Sequence, residues 1–271
     1  MRKKGIERRG NKISICIVLI IFFIFIGVTN MNAAGFLGIG NTASWKEEVL
    51  LHDGSKIIAE RWQKHGGRHE PGIAPDISDQ SISFTIPGIN KNVKWKDEAS
   101  AELGGRANFL LIALHIFNDT PYIITEPRLC LSYNKWGRPN PPYVIFKYEN
   151  KDWKRIEITD LPMEFKNMNL VIETQGYNEE KLVNQGIASA EMVKKLNSSL
   201  KQEQYKTIAR TPLKGVGCME LVPDGNGGWL GTGWFKSQPS YEECLKYCKR
   251  NNIKAEYCLC DKYFKSNIKG E

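Results

Sequence analysis

Over residues 45–158 the chain keeps repeating one local pattern: two short runs of β-branched and aromatic residues separated by a turn signal. Residues 46–52 and 56–62 flank Asp53-Gly54, a dipeptide that supplies the positive φ angles of a two-residue hairpin turn. Residues 81–86 alternate strictly between apolar and polar and return through 88–91 into 92–96. The runs 108–117 and 122–125 flank Asn118-Asp119-Thr120, and the runs 143–148 and 153–158 flank Glu149-Asn150-Lys151. A lone hairpin is too small to be stable in water, so four of them in succession have to bury a shared face. The pattern predicts a mainly β fold with some α (α+β), built on an antiparallel β-sandwich or meander. Two four-stranded propeller blades would fit the strand count, but two blades cannot close a ring.

Beyond residue 160 the pattern changes. Residues 169–174 read as one more strand. Ser189 is placed to cap a helix that carries Met192, Val193, Leu196 and Leu200 on one face, and this helix is expected to cover a sheet face or edge. The glycine-rich run 223–233 reads as a loop between a main domain, 45–210, and a cysteine-rich unit, 211–271.

That unit holds the most specific spacing in the chain, Cys244-x-x-x-Cys248 followed by Cys258-x-Cys260. Ser240 and Glu243 form a capping-box pair, so residues 241–250 start as a helix on which Cys244 and Cys248 share a face. If 256–261 is extended, Cys258 and Cys260 point to one side of a strand, and two thiols on a helix can meet two on a strand. Locally these four cysteines resemble the cystine-stabilised helix-strand staple of defensins and related small secreted proteins. The resemblance covers about 20 residues of the larger chain and implies a structural staple, with no antimicrobial activity. Cys130 and Cys218 are left to pair with each other, although six cysteines allow several connectivities. A zinc site is the competing reading; a Cys-x-Cys pair suits a single tetrahedral ion poorly, so no metal and no cofactor is expected.

Where the chain resides follows from its first 31 residues. Residues 1–12 carry six basic side chains and one acidic one, and residues 13–28 carry no charge at all. Counted to residue 31 the apolar stretch reaches membrane-spanning length, and the flanking charge keeps 1–12 on the cytoplasmic side. The expectation is a signal anchor over 13–31 (or a signal peptide), a tether over 32–44, and an exported remainder whose partner is the inner membrane, with its main domain in the periplasm. Of the formal net charge of +8, only +3 is left after residue 12, too little to form a basic field for phosphate backbones, so no nucleic-acid partner is expected.

Candidate chemistry is sparse. His65 to Glu70 offers two histidines four apart next to a carboxylate, but Gly66, Gly67 and Pro71 make it a loop and the zinc motif His-Glu-x-x-His is incomplete. His52 and His115 fall within predicted strands. Ser132 and Lys135 match the Ser-x-x-Lys spacing of penicillin-recognising enzymes, yet the spacing recurs at Ser198 and Ser266, and the prolines after Lys135 argue against a helix there. Run 132–143 combines Tyr133, Trp136 and Tyr143 with Asn134 and Arg138 on a proline-stiffened backbone, the composition of contact surfaces for a protein or a glycan. These five are the expected binding residues; no catalytic residue is assigned.

The strings WKEEVLLHDGSKII, SYNKWGRPNPPY and FKYENKDWKRI resemble those of a family of exported bacterial proteins without an assigned biochemical function. The resemblance spans residues 45–210, implies a setting in the bacterial envelope and carries over no catalytic residue. Together these features lead to the expectation of a membrane-tethered binding or envelope-interaction module. The alternative is a periplasmic hydrolase drawing on His69, Glu70 and Ser132.

Overall fold

The structure is a computed structural model that describes residues 41–67, 69–70 and 75–265. The expected basic segment 1–12, the anchor 13–31 and residues 32–40 of the tether lie outside the described residues, and the last three residues expected in the tether, 42–44, are strand. Among the described residues, no helix is long and apolar enough to cross a membrane.

All four hairpins form. β1 (Thr42–Leu50) and β2 (Lys56–Gly66) join through Gly54 at φ 85°, and β3 (Asp76–Ile86) returns into β4 (Lys91–Asp97). β5 (Phe109–Phe117) turns into β6 (Thr120–Pro127) with Asn118 and Asp119 at φ 48° and 58°. The turn from β7 (Val144–Glu149) to β8 (Asp152–Ile156) puts Asn150 and Lys151 at 53° and 69°. Such paired positive φ values match the right-handed twist of the flanking strands. The strands form two sheets, β4-β3-β2-β1-β9 and β5-β6-β7-β8, where β9 (Ile187–Ala188) is a two-residue strand parallel to β1.

The sheets pack face to face, as expected of a sandwich. Val49, Ile82, Phe84 and Trp95 of the first sheet share one buried cluster with Phe109, Leu114, Ile123 and Val144 of the second. A bulge in β5 between Leu111 and Ala113 switches the facing pattern, so Leu111 and Leu114 enter this core while Ile112 and Ala113 point to the opposite side. There Tyr122, Ile124 and Ile145 are covered by Leu161, Phe165, Ile172 and Ile208, which makes a third layer.

Residues 169–174 are not a strand. They form a buried plug with Leu170, Val171 and Ile172 inside, and side chains satisfy much of its backbone where a strand would use a neighbouring ladder. Val171 N–H donates to Glu47 Oε2 (3.1 Å), Arg61 donates to Val171 O (3.3 Å), and Asn197 serves both Ile172 N–H and Leu170 O. Glu47 and Arg61 form an ion pair at 3.2 Å with side-chain exposures of 0% and 3%. The helix after Ser189 runs Ala190–Asn197 (α3), with the Ser189 hydroxyl accepting from Met192 N–H; it follows α2 (Tyr177–Gln185), and Leu200 lies past its end.

The histidines depart from expectation. His52 lies in the β1–β2 turn because β1 stops at Leu50, and His65 is part of β2, not of a loop. His65 Nε2 meets Glu179 of α2 at 2.7 Å and Nδ1 meets Pro75 O at 3.2 Å; with the Glu179 hydrogen bond as the main cause, its pKa is raised. His115, within β5 as expected, is 1% exposed and stacks on Phe165, and burial pushes its pKa down from 6.5 to about 4. The unfolded chain therefore takes up a proton at about pH 6.5 that the fold refuses until about pH 4. Stability is lost as pH falls through that window, by about 3 kcal/mol. In urea titrations at pH 7 and pH 4.5, His115→Phe should lose less stability on acidification than the parent; an equal loss in both would remove His115 as the cause.

Candidate functional site

The run 132–143 does not project as an exposed loop. Its first residues close a helix, α1 (Leu129–Lys135), which ends before the prolines, so the helix doubted at this point of the sequence exists. Ser132 is fully buried and its hydroxyl donates to Asn108 O at 2.5 Å. Lys135 reaches away to Ser100 Oγ (2.9 Å) and Glu102 (3.1 Å), so the Ser-x-x-Lys spacing assembles no serine-lysine pair. His69 and Glu70 are exposed, and among the described residues His69 Nδ1 meets Gly67 O at 3.1 Å. Among the described residues, no contact brings together the three residues of the hydrolase alternative: Ser132 bonds Asn108 and His69 bonds Gly67.

Of the five expected binding residues, Asn134 and Arg138 act on a second segment of chain, the strap 213–221. Asn134 donates to Met219 O (3.0 Å) and accepts from Leu221 N–H (2.9 Å). Arg138 donates to Cys218 O (2.8 Å) and Met219 O (3.3 Å) while stacking over the Tyr133 ring at 5.3 Å. Asn140 makes a two-way bond with Leu213, donating to its carbonyl (3.0 Å) and accepting from its N–H (2.8 Å). Cys130 and Cys218 lie at disulfide-bonding distance, 2.16 Å, beneath these amide bonds. Tyr143 is buried, its hydroxyl donating to Gln204 O (2.8 Å) and accepting from Ala209 N–H (3.4 Å), and burial pushes its pKa up to about 12. Trp136 packs over the core against Phe109 and donates to Asn108 Oδ1 at 3.1 Å. Aromatic area that the sequence suggested for a partner is largely turned inward.

Between the strap and the end of β6 a groove opens in two adjoining chambers of about 430 and 260 Å³. Both are lined by Glu126, Pro127, Leu129 and Gln202. Tyr133, Pro142, Leu213 and Val216 line the first; Leu110, Ile172, Leu200 and Tyr205 line the second. Burial raises the Glu126 pKa against the opposing hydrogen bonds of the neutral Tyr205 and Gln204 side chains, the latter donating from Nε2 to Oε1 at 3.4 Å. The Tyr205 hydroxyl beside it is raised as well, mainly by burial and then by the Glu126 charge. Of the basic groups lining the groove, Arg128 is committed to Asp76 (2.5 Å) and Gln175 (2.9 Å), whereas Lys214 is exposed on the strap. Leu129, 58% exposed, sits where the chambers meet at φ 59°, a backbone region costly for a branched side chain. Sequence reasoning missed Glu126, Leu129 and the strap; the glycines of Leu213-Lys-Gly-Val-Gly217 are the only local trace.

The cysteine-rich unit has its own small core of Phe235, Tyr247, Ile253, Cys244, Cys248 and Cys260. The run 223–233 is a hairpin, β10 (Leu221–Pro223) with β11 (Trp229–Gly231), because Asp224 closes the turn by accepting from Asn226 and Gly228 N–H. A short helix follows, α4 (Gly233–Lys236). The next, α5 (Tyr241–Arg250), starts as expected with the Ser240 hydroxyl accepting from Glu243 N–H. The expected strand at 256–261 is instead a 3-10 turn (Ala255–Tyr257) leading to α6 (Cys260–Phe264). Cys258 joins the two in extended backbone, so the pairs still meet, as Cys244–Cys260 and Cys248–Cys258. The Sγ atoms of Cys244, Cys248 and Cys260 lie within 4.8 Å of one another, the one grouping among the described residues with the spacing for a metal ion. Each of these sulfurs is used in a pair. Comparison with family models, with curated proteins and with solved structures finds no match to this chain.

Proposed function

We propose that this protein is a membrane-tethered binding module of the bacterial envelope, with its main domain in the periplasm and its ligand site in the groove between β6, α1 and the strap 213–221. The observation that carries the reading is how the groove wall is built. Asn134, Arg138 and Asn140 make six hydrogen bonds with the strap backbone, and the Cys130–Cys218 pair adds a covalent tie. A chain segment with so little regular structure gains nothing for a core from being held this firmly, but a binding wall gains a preformed shape, which lowers the ordering cost of association. The charge-free run 13–28 behind a basic segment supports the tether, and the even set of six cysteines after it supports an oxidising compartment.

Photo-crosslinking in intact cells tests this. A benzophenone amino acid at Gly215, where φ 73° strains any side chain but the added atoms meet open space, should yield a discrete adduct with an envelope component. The same label at Lys94, on the far sheet, should not. Absence of any Gly215-specific adduct would contradict the groove as a ligand site.

A further inference from the structure

We propose that the groove takes an extended peptide segment of an envelope protein, with a lysine or arginine side chain turned toward Glu126 and an apolar side chain in the chamber on either side; this rests on the groove being the ligand site. Four features of the site point to such a ligand. First, the two chambers meet at Glu126 and Leu129 and are lined by apolar groups on both sides, Tyr133, Leu213 and Val216 in one and Leu110, Ile172 and Leu200 in the other. In an extended chain, residues i, i+2 and i+4 project to one side, so a basic residue flanked at two positions by apolar ones matches this order.

Second, the charge is one-sided. Glu126, Glu173 and Glu203 line the groove, Arg128 is neutralised by Asp76, and Lys214 is the one other cation of the lining. A cationic ligand group would supply the counter-charge that desolvated Glu126 lacks in the protein itself. Third, the strap offers bare backbone: among the described residues no hydrogen bond is made by the N–H groups of Lys214, Gly215 and Gly217, and Gly215 and Gly217 face open space. Main-chain donors at a groove wall are what a peptide backbone pairs with. Fourth, Leu129 keeps an exposed apolar side chain at the junction in spite of its left-handed backbone, which is accounted for if the side chain is covered by ligand. A glycan would call for flat exposed rings, whereas Tyr133 is 7% exposed.

The test is fluorescence anisotropy on the full-length protein in detergent. The probe is a labelled pool of acetylated pentapeptide amides, apolar-Gly-Lys-Gly-apolar with Leu, Val or Phe at the apolar positions. A pool with Glu for Lys and a linear N-acetylglucosamine tetramer are run alongside. The lysine pool should bind, the glutamate pool should bind about ten-fold or more weakly, and Glu126→Gln should weaken the lysine pool about ten-fold. Glu203→Gln, at an exposed position, should weaken it to a lesser extent and serves as the charge test should Glu126→Gln fail to fold. Equal binding of the lysine and glutamate pools, or binding of neither, overturns the peptide assignment. If the tetramer binds while the lysine pool does not, the ligand class is wrong and the groove stands. If nothing binds and Gly215 gives no adduct in cells, the groove reading falls too.

Discussion

Glu47→Ala should destabilise the domain by about 3 to 5 kcal/mol, because it leaves the Arg61 guanidinium buried without its counter-charge. The position is severe for three reasons that act together. Glu47 is fully buried, its Oε1 accepts from Trp45 Nε1 (2.6 Å) and Arg61 (3.2 Å), and its Oε2 accepts the backbone N–H of Val171 (3.1 Å). Removing it strips the plug 169–174 of the bond that holds its centre to β1. Replacing both partners together, Glu47→Leu with Arg61→Met, should cost clearly less than Glu47→Ala, since no unpaired charge remains. Urea midpoints of the two variants and the parent check this. A Glu47→Ala loss below about 1 kcal/mol would show that the pair is not buried as described.

Removing the Cys130–Cys218 link, as Cys130→Ala with Cys218→Ala, should lower stability by roughly 4 to 5 kcal/mol. The estimate follows from the 88-residue separation of the two cysteines, against 16 and 10 for the pairs within the C-terminal unit, which by the same loop argument are each worth about 3 kcal/mol. The local effect is more specific than the global one. Without the link, residues 213–219 of the strap are held by the Asn134, Arg138 and Asn140 bonds, and these half-exposed contacts open far more readily. Trypsin should then cut after Lys214 under conditions in which the parent protein stays intact. Unchanged cleavage at Lys214 would mean that the strap does not depend on the sulfur link.

The parts legible in the sequence are those in which structure is decided within a few residues. Asn118-Asp119 and Asn150-Lys151 state their own turn geometry, Gly54 alone takes the positive φ expected of Asp53-Gly54, and Ser189 and Ser240 cap helices through bonds three residues away. The cysteine pairing was partly legible, since the Cys244/Cys248 and Cys258/Cys260 spacings limit which sulfurs can meet even though the second pair sits on a turn and a helix and not on a strand. What was not legible depends on distant partners. The plug 169–174 looks like a strand because its residues are β-formers, but its backbone bonds go to Glu47 and Asn197 side chains, 124 and 25 residues away. The aromatic run 132–143 looks like a surface because no local rule reveals that Asn134 and Arg138 will be spent on a strap 87 and 80 residues later. Glu126 is unremarkable in the sequence; its isolation arises only when the 202–205 and 213–218 segments close over the end of β6.

The most direct test of the whole account is a thiol and linkage map of the full-length protein isolated from bacterial envelopes without reductant and alkylated at once. The account predicts linked peptides for Cys130–Cys218, Cys244–Cys260 and Cys248–Cys258, with Cys16 alone alkylated. Alkylation of Cys130 and Cys218 as free thiols, or recovery of the four C-terminal cysteines as thiols, would contradict it.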